Sequence, residues 1–253
     1  MFDLTGKVAI ITGGERGIGA AAVRMFHELG ASVMIGDIQV DAAQELASEL
    51  GDKVLVSRLD VTQAADWERA IAEAETAFGP VNVLVNNAGH PGHWKPIADL
   101  SLEEYRMVCA INQDGPFLGM KLVLPSMIRA GGGSIVNNSS GYGLVGAANN
   151  MDYCASKFAL TGMTKAAAIE CAPLNIRVNS VHAGVVLTPM VTRTMAQLGD
   201  DANKFIARMP LNRGADPSEI ASVFAFLASE ASSFVTGAAL PADPKPPRRT
   251  PGR

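Results

Sequence analysis

The sequence predicts an α/β fold, a doubly wound parallel sheet with helices on both faces. Three observations point there. Short β-branched runs alternate with longer Ala-rich stretches that place apolar residues every three or four positions, and that alternation implies βαβ units. The short runs are continuously apolar, as strands buried on both faces are. No Pro- or Ser-rich linker and no internal repeat divides the 253 residues, so one domain of about 240 residues is expected, spanning 1–243 with a short tail over 244–253.

Taken in order, the strands are expected at Lys7–Thr12, Ser32–Asp37, Lys53–Ser57, Val81–Val85, Ser134–Asn138 and Ile176–Val181. Helices are expected at Ile18–Leu29, Ala42–Leu50 and Ala65–Phe78, where the apolar spacing follows a helical repeat. Two regions break the rhythm. One long helical stretch runs from about Ser101 to Ala130 and ends at Gly131-Gly132-Gly133. Between Thr188 and Asp216 a sheet protein should turn quickly, but the chain carries Met190, Met195, Leu198, Phe205, Ile206 and Met209. A long insertion of this kind is expected to act as a lid or binding loop.

Composition narrows the class. At 48% hydrophobic and 18% charged the chain is too apolar for disorder. Three cysteines (Cys109, Cys154 and Cys171) are too few for a disulfide scaffold and are expected to be buried thiols. The net charge of −4 without a basic cluster in the body argues against nucleic acid. The apolar runs are too short to span a bilayer, and the first residues do not resemble a signal peptide. A cytoplasmic protein acting on a small molecule is expected. The tail concentrates Lys245, Arg248, Arg249 and Arg253 among four prolines, so the remaining residues carry −8.

The segment Thr12-Gly13-Gly14-Glu15-Arg16-Gly17-Ile18-Gly19 lies between the first strand and the first helix. Glycines there allow a tight turn and close approach to a phosphate, and a helix N-terminus supplies unpaired N–H groups. The spacing is G-x-x-x-G-x-G rather than G-x-G-x-x-G. Asp37 ends the second strand, where a carboxylate accepts from ribose hydroxyls and repels a 2′-phosphate, which favours NAD over NADP. Arg16 argues the other way, since it could pair with that phosphate. The carboxylate is taken to decide. Asp60 is placed to accept from the adenine amino group, and Asn86-Asn87-Ala88-Gly89 closes the fourth strand. Ile38 and Val61, next to the two carboxylates, complete this side of the candidate cofactor site.

Tyr153-Cys154-Ala155-Ser156-Lys157 puts a phenol and an ammonium four residues apart, on one face if the segment is helical. Ser140, thirteen residues earlier, lies just past the fifth strand, and Asn112 interrupts a helical stretch where Asn is a poor helix former. The set has a chemical logic. A Lys157 ammonium would lower the Tyr153 pKa from near 10 towards neutrality, and Ser140 could hold a substrate oxygen beside it. Such chemistry needs no metal. His90 and His93 lack a third ligand and are read as a solvated loop.

With these motifs in order from about Leu4 to Asp243, the chain resembles the short-chain dehydrogenase/reductase family. The resemblance implies a Rossmann-type fold of about seven parallel strands, usually a homotetramer. It also implies Tyr153 as acid/base, Lys157 as its activator and ribose ligand, Ser140 as substrate orienter and Asn112 as holder of a relay water. Gly13, Arg16, Gly17, Ile18, Gly19, Asn87, Ala88 and Gly89 would serve the cofactor, with Thr188 and the backbone near Val186 on the nicotinamide carboxamide. Two departures stand out. His182-Ala183-Gly184 replaces the family's Pro-Gly, freeing φ at Ala183. Leu240-Pro241-Ala242-Asp243 runs into Pro244-Lys245-Pro246-Pro247, where proline should stop the ladder of the last strand.

Around the reacting end the side chains are apolar: Trp94, Tyr142, Leu144, Met151 and the Met-rich insertion. The insertion's Arg193, Lys204 and Arg208 do not form an obvious phosphopantetheine clamp. A secondary alcohol or ketone on an alicyclic, aromatic or steroid-like frame is expected. Reduction of 3-oxoacyl thioesters is the alternative, and a non-enzymatic NAD(H) sensor a distant third.

Overall fold

The computed structural model describes residues 2–192, 206 and 209–242. Its strands are β1 (Val8–Thr12), β2 (Ser32–Asp37), β3 (Val54–Arg58), β4 (Val83–Asn86), β5 (Gly133–Asn138), β6 (Ile176–Ala183) and β7 (Ala239–Ala242). They form one sheet in the order β3-β2-β1-β4-β5-β6-β7, every neighbouring pair parallel. The connection reverses direction between β1 and β4, which opens a crevice beyond their carboxyl ends.

Continuous apolar runs in the strands follow from a core on each face. Ala9, Ile11, Val83, Val85 and Val136 face one core, which is closed by α1 (Gly17–Glu28), α2 (Val40–Leu50) and α7 (Pro217–Ala228). Val8, Ile10, Leu84 and Ile135 face the other, closed by α3 (Ala64–Phe78), α5 (Gly115–Arg129) and α6 (Met151–Cys171). Trp67 of α3 is fully buried there and its indole N–H donates to the Val61 carbonyl at 3.0 Å, so the largest core side chain leaves no donor unpaired.

Three expectations change. The stretch expected as one helix from Ser101 to Ala130 is α4 (Leu102–Cys109), a π-helical turn at Ala110–Asp114, and α5. A Ser101/Glu104 capping box starts α4. β6 runs two residues further than expected, and Ala183 pairs with Ala242. The ladder therefore holds Ala183, and the missing proline does not loosen that strand. Pro241, finally, lies inside β7. Ser180 N donates to Ala238 O and Gly184 N to Ala242 O, so even-numbered residues of β7 face β6. The missing N–H of Pro241 falls on the outer edge, where no bond is lost.

Candidate active site

At the nucleotide end the loop after β1 is held by its own backbone. Gly13 adopts φ +63°, and a Cβ on Gly19 would lie 1.9 Å from the Gly13 carbonyl oxygen, so neither position takes a side chain without strain. Asn87 fastens the loop to the end of β4: its Nδ2 donates to the carbonyls of Thr12 (2.9 Å) and Gly13 (3.0 Å). The Thr12 hydroxyl accepts from Asn87 N and Ala88 N, both at 3.0 Å. No side chain caps the start of α1, which leaves its N-terminal N–H groups directed at the crevice for an anion. On β2, buried Asp37 accepts from Glu15 N (3.2 Å) and Gln39 N (3.0 Å). Asp60 accepts from the Thr62 hydroxyl at 2.7 Å.

These groups open onto a crevice of about 680 Å³. Of the candidate residues, all but Gly19 and Asn112 line it. Gly19 sits beneath the loop. The π turn points the Asn112 side chain away from the crevice and into the protein, where it is fully buried. Its Oδ1 accepts from His90 N at 2.7 Å, and its Nδ2 donates to His90 O (2.9 Å) and Ser156 Oγ (3.1 Å). A π turn places one residue off the helical register, often at a functional site. Here it lets one amide hold the segment after β4 against α6.

At the reacting end, β5 delivers Ser140 and the first two turns of α6 deliver Tyr153 and Lys157. Lys157 Nζ donates to the Asn138 carbonyl at 2.8 Å and lies 5.6 Å from the centre of the Tyr153 ring. Burial lowers the Lys157 pKa to about 8. The effect on Tyr153 differs from the sequence expectation. Burial pushes its hydroxyl up from the ordinary value, and the hydrogen bond with Ser140 offsets only part of that rise. Desolvation of a phenolate outweighs the neighbouring ammonium, which spends a donor on a carbonyl.

A family profile described as Enoyl-(Acyl carrier protein) reductase matches residues 13–244. A 3-alpha-(or 20-beta)-hydroxysteroid dehydrogenase of Mycobacterium tuberculosis (strain ATCC 25618 / H37Rv) is 43% identical over 235 residues, covering 93% of this chain and 87% of that protein. A cyclohexanol dehydrogenase of Acinetobacter sp. (strain SE19) is 38% identical, covering 91% of each. Among solved structures, a 3-ketoacyl-(acyl-carrier-protein) reductase from Brucella melitensis complexed with NADH superposes with a TM-score of 0.89 at 33% identity, covering 95% of this chain and 98% of that one. The chain belongs to the short-chain dehydrogenase/reductase family. It is accordingly an oxidoreductase.

Several residues that position this dehydrogenase's site escaped the sequence reading. Asn138 receives Lys157 on its carbonyl, and its Nδ2 donates to Asn87 Oδ1 at 2.9 Å, linking the reacting end to the loop. His182 is buried, with Nδ1 2.8 Å from the Ser140 carbonyl and Nε2 2.9 Å from the Ser180 hydroxyl. The residue just before the position of the family's proline thus braces the strand end that carries Ser140. His90 and His93 are not a solvated loop. Their rings lie 5.3 Å apart, and His93 Nδ1 is 2.8 Å from Oδ2 of buried Asp152, which precedes Tyr153. A buried carboxylate needs such partners, and the segment after β4 is tied to α6 as a result. Among the described residues no group of three or more His, Cys, Asp or Glu is placed to hold a metal ion.

On the substrate side, Trp94 stands edge-on to Tyr142 (6.2 Å between centroids) and Tyr142 edge-on to Tyr153 (6.5 Å). Trp94 takes φ +53°, a conformation rare for a bulky residue. Leu144 and Met151 remain exposed, Met190 lines the crevice and Met209 is buried. Met195, Leu198, Phe205, Arg193, Lys204 and Arg208 lie outside the described residues, as does the tail from Asp243. Cys154 and Cys171 are buried, whereas Cys109 is only half-buried.

Proposed function

We propose that the chain is an NAD-dependent dehydrogenase that moves a hydride between the cofactor and a secondary alcohol or ketone on a lipophilic alicyclic, aromatic or steroid-like frame. The observation that carries this reading is the convergence of Ser140, Tyr153 and Lys157 at one end of a crevice whose other end is closed by the buried Asp37 carboxylate. The loop with its uncapped helix start suits a pyrophosphate, Asp37 suits ribose hydroxyls, and Thr188 with the Val186 backbone suits the carboxamide. When bound, the nicotinamide supplies the hydride acceptor or donor. The chain's own groups manage the proton. In the oxidation direction the Tyr153 phenolate takes the proton of the substrate hydroxyl as the C–H hydride leaves; in reduction the phenol returns it. Ser140 holds the substrate oxygen, its Oγ already accepting from Tyr142 N at 3.1 Å. Lys157, fixed by the Asn138 carbonyl, favours the phenolate and reaches the nicotinamide ribose. Because the Asn112 side chain is committed to His90 and Ser156, a relay water would be held by its main-chain carbonyl.

The likeness to the hydroxysteroid and cyclohexanol dehydrogenases supports the cyclic substrate class. The structural likeness to a 3-ketoacyl-(acyl-carrier-protein) reductase supports a second reading, reduction of 3-oxoacyl thioesters. Following NADH absorbance with cyclohexanol, a hydroxysteroid and, in reverse, acetoacetyl-CoA separates the two. Turnover of the thioester alone would overturn the first reading. We also take the working unit to be a cytoplasmic homotetramer. Exposed Phe117, Phe158 and Ile169 on α5 and α6 support burial between copies, and sedimentation of the purified chain tests the assembly.

A further inference from the structure

We propose that Glu15 sets cofactor choice by holding Arg16 away from the ribose 2′ position, so that discrimination against NADP rests on Glu15 as well as on Asp37. This inference rests on the nucleotide reading above. Among the described residues that line the crevice, Arg16 is the cation at the adenosine end and Lys157 the one at the other, and a cation beside the ribose is what a 2′-phosphate would pair with. In the structure Arg16 Nε lies 2.9 Å from Glu15 Oε1. The two partners are unequally exposed, with 44% of the Arg16 side chain accessible against 9% for Glu15. A carboxylate that is nearly out of solvent needs its cation more than the cation needs it.

Glu15 is also built into the place where the phosphate would sit. Its backbone N–H donates to Asp37 Oδ2 at 3.2 Å, and Gln39 Nε2 donates to its Oε1 at 3.4 Å. Glu15, Arg16, Asp37 and Gln39 all line the crevice. Beside the ribose position the described lining residues therefore present the Glu15 and Asp37 carboxylates against the Arg16 guanidinium, and the guanidinium is already engaged. An incoming 2′-phosphate, bearing more than one negative charge near neutral pH, meets a net negative patch. Neutral ribose hydroxyls meet acceptors.

The test is direct binding of NADPH and NADH, followed by cofactor fluorescence, in the wild-type chain, Glu15→Gln and Glu15→Gln/Arg16→Gln. Releasing the Arg16 guanidinium from Glu15 to pair with a 2′-phosphate is expected to tighten NADPH binding about tenfold at low salt, with NADH changed less than about twofold. The gain should disappear in the double variant and shrink in high salt. A Glu15→Ser variant serves the same purpose if the glutamine does not fold. Unchanged NADPH affinity in a folded Glu15 variant, or a gain that survives loss of Arg16, overturns the inference while leaving the NAD reading intact. A wild-type chain that binds NADPH as tightly as NADH, or binds neither, overturns both.

Discussion

The two ends of the crevice are built by opposite means. The nucleotide end is mostly main chain: the loop from Thr12 to Gly19 is shaped by glycines, tied by its own carbonyls to Asn87, and closed by Asp37 at the tip of the next strand. The reacting end is mostly side chain. Ser140 comes from the end of β5 and Tyr153 and Lys157 from α6; His182 and Asn138, distant in sequence, steady Ser140 and Lys157, and the adjacent Asp152, itself held by His93, steadies Tyr153. A backbone site tolerates little change in shape, because any added atom meets main chain. A side-chain site tolerates shape changes but fails when one functional group is lost.

Substitutions should separate the two ends. The largest effect is expected from Tyr153→Phe, which removes the proposed acid/base while keeping the ring: turnover should fall by about 10³-fold or more, with NADH affinity within about twofold in a fluorescence titration. Equal activity would remove Tyr153 from the mechanism. Lys157→Met should abolish turnover and weaken NADH binding, yet raise stability at neutral pH. Burial holds this ammonium at about 8, against an ordinary 10.5, so the unfolded chain binds the proton more tightly. The resulting cost, about 3 kcal/mol at most, is fully present below pH 8 and fades as pH rises to 10.5. The variant's gain in Tm should therefore be largest at pH 7 and nearly absent at pH 10.5. A gain independent of pH would contradict the buried-charge account.

Gly19→Ala probes the other end. With its Cβ driven to 1.9 Å from the Gly13 oxygen, the loop must shift at a cost of about 1–3 kcal/mol. Thermal melts should show a drop of several degrees together with a large loss of NADH affinity. A normal melt and normal binding would mean that the loop adapts freely. Asn138→Ala tests the join between the ends. Loss of its bond to Asn87 should weaken NADH binding about fivefold, and a double-mutant cycle with Asn87→Ala should be non-additive. Additive effects would mean that the two ends are independent. The smallest effect is expected from truncation after Asp243, which should leave NADH binding unchanged; failure to fold would place the tail in the core.

The sequence shows the nucleotide end well because its determinants are local. Glycine spacing and a strand-ending carboxylate lie within 26 residues, and β2 falls at Ser32–Asp37 as the pattern predicts. It also brings out the trio proposed for catalysis, since Tyr153 and Lys157 are one helical turn apart. It does not show how that trio is held. Asn138 finds Asn87 across β4 and β5, His93 finds Asp152 across 59 residues, and no periodicity encodes such pairs. The π turn at Asn112 is equally hidden, because one extra residue in a helical turn barely alters an apolar repeat.

By itself, then, the sequence determined the fold class and singled out the groups proposed to react, both properties of residue type and short spacing. Tertiary structure alone decided the state of those groups. It raised the Tyr153 pKa where the ammonium was expected to lower it, turned Asn112 inward, set Pro241 on an open edge and engaged Arg16 with Glu15. The physical reason is common to all four: desolvation, hydrogen-bond satisfaction and charge pairing depend on which atoms are brought together in space, and short-range sequence patterns do not specify those neighbours.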